Sequence, residues 1–166
     1  MANMQKITPN LWFSNEAEEA VNFYISLFPD SKIIKTLRYG SEGQEIHKMP
    51  EGSVMTIEFE LQGLRYVALN GGPVFTFNEA VSFIINCKDQ EEVDRYWNAL
   101  TEGGDESAQV CGWLKDKYGL SWQVVPEVLE VLFSSDNKTG SERAMKAMLQ
   151  MKKLDVEKLQ QAFDGK

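Results

Sequence analysis

The chain has 166 residues, 43% of them apolar and 25% charged, with a formal net charge of −8. That length suits one domain, or two small modules sharing a core. The acidic balance, without a Lys/Arg run interleaved with aromatics, argues against a dedicated nucleic-acid or anionic-membrane surface.

The first residues, Met1–Pro9, lack the charged flank and apolar stretch of a signal peptide, and no apolar run reaches transmembrane length. Ile7–Phe13 reads as a strand with Leu11 and Phe13 on one face and Thr8, Asn10 and Trp12 on the other. A helix follows, capped by Asn15 with Glu18 completing a capping box. Its buried stripe is Ala17, Ala20, Val21, Tyr24, Leu27 and Phe28. Lys32–Tyr39 is the next strand, Ser41–Gly52 a polar loop, and Val54–Leu61 an alternating strand. Gln62-Gly63 turns the chain into Leu64–Asn70. The order is strand, helix, strand, strand, strand.

The plan then repeats. Val81–Cys87 is a strand with Ser82, Ile84 and Asn86 on one face. Asp89 caps a helix, with Glu92 again three residues on, and Val93, Tyr96, Trp97 and Leu100 form its stripe. A short strand is expected near Ser107–Val110. Trp113–Lys115 and Ser121–Val125 form a hairpin around a turn at Asp116–Gly119. Ser121, Gln123 and Val125 share one face of its second strand, Trp122 and Val124 the other. The tail reads as helices over Glu127–Phe133, Ser141–Lys153 and Asp155–Phe163, with Ser134–Gly140 as a loop. Cys87 and Cys111 lie far apart and outside any CxxC motif, which favours free thiols over a disulfide and a reducing compartment.

The helix end NFYISLFP, the strand VALNGGP, the segment SFIINCKDQEEVDRYW and the hairpin GWLKDKYGLSWQVVP together resemble the PhnB-like group. This group carries the label demethylubiquinone methyltransferase-like and belongs to the vicinal oxygen chelate superfamily of glyoxalase I, bleomycin-resistance proteins and extradiol dioxygenases. The resemblance spans Lys6 to about Phe163. It implies an α+β fold in which two βαβββ modules, about 6–72 and 80–126, form a curved mixed sheet with a central cup. A helical tail, 127–166, completes one glyoxalase/bleomycin-resistance-like domain over 1–166. It also implies a homodimer.

Superfamily enzymes place His or Glu on the first and last strands of each module. The resemblance puts Thr8 and Ser82 at the first-strand positions and Gln123 at the usual glutamate, while Leu64–Asn70 offers no Asp, Glu or His. Neutral hydroxyl and amide groups bind a divalent cation poorly, so no metal and no cofactor is expected. Nor does Asn70-Gly71-Gly72-Pro73 have the spacing of a Gly-rich adenosylmethionine turn, and a connector between modules is the better reading.

His47, the only histidine, reads as a solvated loop residue rather than a base on a lid. Arg38 and Arg65 read as cross-strand partners of Glu58 or Glu60 rather than anion ligands. Trp97 and Trp122 read as core. For Trp12, lining the cup is set slightly ahead of plain packing. The expected cup lining is Thr8, Asn10, Trp12, Asn70, Ser82 and Gln123, with no catalytic residue assigned. The expected function is metal-free binding of a small molecule by a cytoplasmic homodimer. A glyoxalase- or dioxygenase-type enzyme is the alternative, and a methyltransferase is disfavoured.

Overall fold

The structure is a computed structural model and describes residues 5–166. It divides into two compact units, with the chain boundary between Phe77 and Asn78.

In the first unit, β1 (Asn10–Phe13) leads to α1 (Ala17–Leu27), then β2 (Lys32–Arg38), a single helical turn α2 (Gln44–His47), β3 (Val54–Leu61) and β4 (Leu64–Asn70). The strands form one sheet in the order β1-β4-β3-β2, with β1 parallel to β4 and the other pairs antiparallel. Alternation decides which face is buried. Ile57, Phe59, Tyr66 and Ala68 are buried, as are Ala17, Ala20, Val21 and Tyr24 of α1. The side chains between them on β3 and β4, among them Thr56, Glu58, Arg65 and Val67, are only half-buried. Arg65 pairs with Glu58 across that face at 3.3 Å, the cross-strand partner its position suggests.

In the second unit, β5 (Phe83–Cys87), α3 (Gln90–Thr101), a 3-10 turn at Glu106–Ala108, β6 (Trp113–Lys115) and β7 (Ser121–Pro126) precede three tail helices. These are α4 (Val128–Ser134), α5 (Lys138–Met148) and α6 (Val156–Asp164). The sheet has the order β5-β7-β6, parallel at β5–β7 and antiparallel in the hairpin. Val93, Tyr96, Trp97 and Leu100 on α3 are buried, and so are Trp122 and Val124 on β7.

Several local expectations are corrected. The first strand begins at Asn10, so Thr8 lies ahead of it, exposed. The expected strand near Ser107–Val110 is a 3-10 turn capped by Asp105, whose carboxylate accepts from the Ser107 N–H and hydroxyl. Only a lone bridge, Val110 to Trp113, remains of the pairing. The local Asp–Ser hydrogen bonds compete with strand formation there. The polar loop contains the turn Gln44–His47. Helix α5 starts earlier than expected because Asn137 caps it, accepting from the Gly140 N–H at 3.0 Å.

The tail folds on its own unit. Leu129, Leu132, Ala144, Leu154 and Leu159 form a buried cluster, with Met148, Met151 and Phe163 packed against it. The N–H groups of Cys111 and Gly112 donate to the carbonyls of Met151 and Lys152, both at 2.8 Å. The Gln90 side chain donates to the Leu154 carbonyl and accepts from the Val156 N–H. Lys153 forms an ion pair with Asp94 at 2.6 Å. Part of the apolar tail surface that suggested a second subunit is thus covered within one chain, while Met145 and Leu149 stay exposed.

Candidate functional site

The two units treat their candidate residues differently. In the second unit, Ser82 and Gln123 meet. The Gln123 amide donates to the Ser82 hydroxyl oxygen at 2.9 Å, and both residues are half-buried. Gln123 stands on the central strand β7, opposite Ile84 on β5 and Trp113 on β6. Ile84 is 56% exposed, and Trp113 is half-buried. The amide therefore sits between an aliphatic and an aromatic side chain. The Ser82 O–H remains a donor and the Gln123 carbonyl oxygen an acceptor.

Two residues not singled out in the sequence complete this region. Ser121 lies two residues before Gln123, on the same strand face. It is 1% exposed, and its hydroxyl has no hydrogen-bond partner in the structure. Its register partner is Lys115, which pairs with Glu79. That ion pair lowers the Glu79 carboxyl below its ordinary value, chiefly through the hydrogen bond from Lys115. Asp116, 2% exposed, locks the hairpin turn. Its carboxylate accepts from the N–H groups of Tyr118 and Leu120 at 2.9 and 3.1 Å, and from the Trp122 indole at 2.9 Å. An aspartate opening a four-residue turn is the sequence signal for this lock. Strand alternation places Ser121 on the Gln123 face, but nothing in the sequence marks its hydroxyl as buried and partnerless.

In the first unit two of the candidates, Asn70 and Trp12, hold the scaffold. Asn70 is 5% exposed. Its carbonyl oxygen accepts from the Ala17 N–H at 2.9 Å, and its amide donates to the Val54 carbonyl at 3.1 Å. Asn70 on β4 thus does for α1 what Asn15 was expected to do. The N-cap position falls on Glu16, which makes no side-chain cap hydrogen bond; its carboxylate accepts from the Asn15 N–H at 2.9 Å. Trp12 is half-buried; its indole N–H donates to the Gly72 carbonyl at 2.9 Å, and its ring meets the edge of Phe75 at 5.0 Å. A Cβ on Gly71 would lie 2.1 Å from that ring, so only glycine admits this contact. Asn10 is exposed at the start of β1, and Thr8 is exposed before it. His47 is half-buried against Tyr39, with ring centroids 4.5 Å apart, and its Nδ1 accepts from the Met49 N–H at 3.0 Å.

The whole span of residues 5–125 matches the family model described as 3-demethylubiquinone-9 3-methyltransferase. The chain belongs to that family. A PhnB protein of Bacillus cereus described by the same activity is 36% identical, matched over 74% of this chain and 99% of its own, with a TM-score of 0.65. Two more distant structures share the fold alone. Protein PA1353 of Pseudomonas aeruginosa is 21% identical over 75% of this chain and 98% of its own, with a TM-score of 0.56. A fosfomycin resistance protein, FosX, of Listeria monocytogenes is 14% identical over 81% of this chain and 100% of its own, with a TM-score of 0.52. No curated protein sequence matches. The fold is that of the PhnB-like group in the vicinal oxygen chelate superfamily, as the sequence motifs implied. Since the family match ends at residue 125, the three tail helices lie outside it.

The residues present do not fit the metal that the superfamily implies. The pair that meets, Ser82 and Gln123, is neutral, and a hydroxyl and an amide make a poor divalent site. Among the described residues, no group of three or more His, Cys, Asp or Glu side chains is placed to hold an ion. The adenosylmethionine implied by the family's description fares no better at Gly71-Gly72. Those glycines donate to the Phe13 and Ser14 carbonyls, both at 3.0 Å, and strand β5 rather than a helix is the next regular element. Among the described residues, no helix is long and apolar enough to cross a membrane.

Proposed function

We propose that this PhnB-like protein binds a small, partly aromatic molecule without a metal, on the open face of the β5-β7-β6 sheet. The observation that carries this reading is the hydrogen bond between Gln123 and Ser82. Where a metal enzyme would need anionic or imidazole ligands, two neutral side chains satisfy each other. They keep the Ser82 O–H and the second Gln123 N–H as donors and the Gln123 carbonyl oxygen as acceptor. Such a pair suits a ligand with a hydrogen-bond acceptor beside a donor, as in an amide or an enol. Ile84 and Trp113 flank Gln123 and supply the apolar contact that a small-molecule site needs.

Within the first unit, taken by itself, Thr8 and Asn10 are proposed as ligand-binding residues, because both are exposed. Asn70 and Trp12 are left out, since their polar atoms are engaged in the scaffold. We further propose a homodimer working in a reducing, cytoplasmic compartment. Family resemblance supports the dimer. The free cysteines Cys87 and Cys111 support the compartment.

Native mass spectrometry of the gently purified chain tests the binding reading. A co-purifying small molecule should be retained by the unaltered protein and lost from the double variant S82A/Q123A. Equal retention by the folded double variant would place the ligand elsewhere.

A further inference from the structure

We propose that the first unit carries a second, separate pocket that binds a small zwitterion of the α-amino-acid type. A cavity of about 570 Å³ opens where β1, β4 and the start of β3 end beside α1. Ser14, Asn15, Glu18, Arg38, Met49 and Ser53 are among its lining residues. All of them belong to the first unit, and none is part of the Ser82–Gln123 face.

Two charges of opposite sign line this cavity without neutralising each other. The Arg38 guanidinium makes one hydrogen bond, from Nη1 to the Gly52 carbonyl at 3.0 Å. Its remaining N–H groups can take a carboxylate in a planar fork. The Glu18 carboxylate has no ion pair or hydrogen bond among the described residues. The reason lies in the capping of α1. A local capping box would set the Glu18 carboxylate on the Asn15 N–H, but the Glu16 carboxylate accepts from that N–H at 2.9 Å, while Asn70 takes the Ala17 N–H from across the sheet. Asn15 and Glu18 are released from that task and line the cavity instead.

Each unpaired charge alone would suit a simple counter-ion. Together in one cavity they suit a molecule carrying a carboxylate and an ammonium, the first on Arg38 and the second on Glu18. Ser14, Asn15 and Ser53 supply neutral hydrogen-bonding groups, and Met49 an apolar wall for a ligand side chain. The binding is a non-covalent event and involves no reaction.

Titration of the isotope-labelled full chain with each common L-amino acid, followed by NMR, tests this. Acetate and methylammonium serve as single-charge controls. At least one amino acid should give saturable shifts at the amides of Ser14 and Ser53. R38Q and E18Q should each weaken its binding about tenfold, and each control should bind about tenfold more weakly than that amino acid. Both side chains are exposed, so the variants should keep the parent melting temperature. Failure of every amino acid to saturate would overturn the proposal. So would acetate binding as well as the best amino acid, or an unchanged affinity in E18Q; either result would reduce the pocket to an anion site.

Discussion

Helices α1 and α3 begin after equivalent strands and carry similar buried stripes, yet they are capped in opposite ways. Helix α3 is capped locally. Asp89 accepts from the Glu92 N–H at 2.9 Å, and Glu92 reaches back to the Lys88 N–H at 3.0 Å. Helix α1 is capped from a distant strand by Asn70. A local cap stabilises one helix end. A cap from another strand ties the helix to the sheet, so its loss is felt in both. The same contrast separates the candidate sites. In the second unit the polar residues stay available on an open face. In the first, Asn70 and Trp12 are built into the scaffold.

The largest effect expected from this contrast is at Asn70. Replacement by Ala removes the cap and leaves the buried Ala17 N–H and Val54 carbonyl without partners. The cost should be about 3 kcal/mol. Asn15→Ala should change stability by less than about 0.5 kcal/mol. Urea denaturation of both variants checks the pair. Equal losses would mean that α1 is capped locally after all.

Gly71→Ala comes next. The added methyl would collide with the Trp12 ring, and overpacking of this kind costs about 1–3 kcal/mol. A neutral substitution would show that the ring moves freely, and would return Trp12 to the role of ligand contact. Asp89→Ala should cost about 1 kcal/mol, the ordinary worth of an N-cap. Its effect should be well below that of Asn70→Ala in the same denaturation series.

Gln123→Ala belongs at the small end. It removes a half-buried neutral hydrogen bond, so stability should change little. Binding of whatever ligand co-purifies should weaken by about 1 kcal/mol in calorimetry. Affinity unchanged in a folded variant would detach Gln123 from the site.

The smallest effect at neutral pH concerns Cys87. Burial pushes its thiol from the ordinary 9.0 up to about 12, with the nearby Glu92 carboxylate adding to the rise. The folded thiol keeps its proton where the unfolded one has lost it. Stability is therefore unaffected below pH 9 and falls as pH rises through the window from 9.0 to about 12. Denaturation curves for wild type and Cys87→Ala, compared between neutral and alkaline pH, should show a steeper alkaline decline in the wild type.

Much of this fold was legible. The alternation of Val54–Leu61 and Leu64–Asn70, the stripes of α1 and α3, the Asp89 cap and the 113–126 hairpin all follow from periodicities of two and 3.6 residues. The misreadings have a common cause. Asn15 with Glu18 satisfies the local capping rule, but the Glu16 carboxylate takes the Asn15 N–H, and Asn70, more than fifty residues away, takes the Ala17 N–H. A sequence window cannot register such a competitor. Likewise the polar Ser107 segment closes on Asp105 instead of extending. The Ser82 and Gln123 positions were found through family resemblance. Their mutual hydrogen bond was not visible, because it spans strands far apart in the chain.

The central claim is that neutral side chains have replaced a metal site. Elemental analysis of the purified chain after dialysis against chelator, then after incubation with zinc, manganese or nickel, tests it most directly. The account predicts substoichiometric metal in every case, unaltered in the S82A/Q123A variant. One equivalent of a divalent ion retained by the unaltered chain and lost from the variant would contradict it.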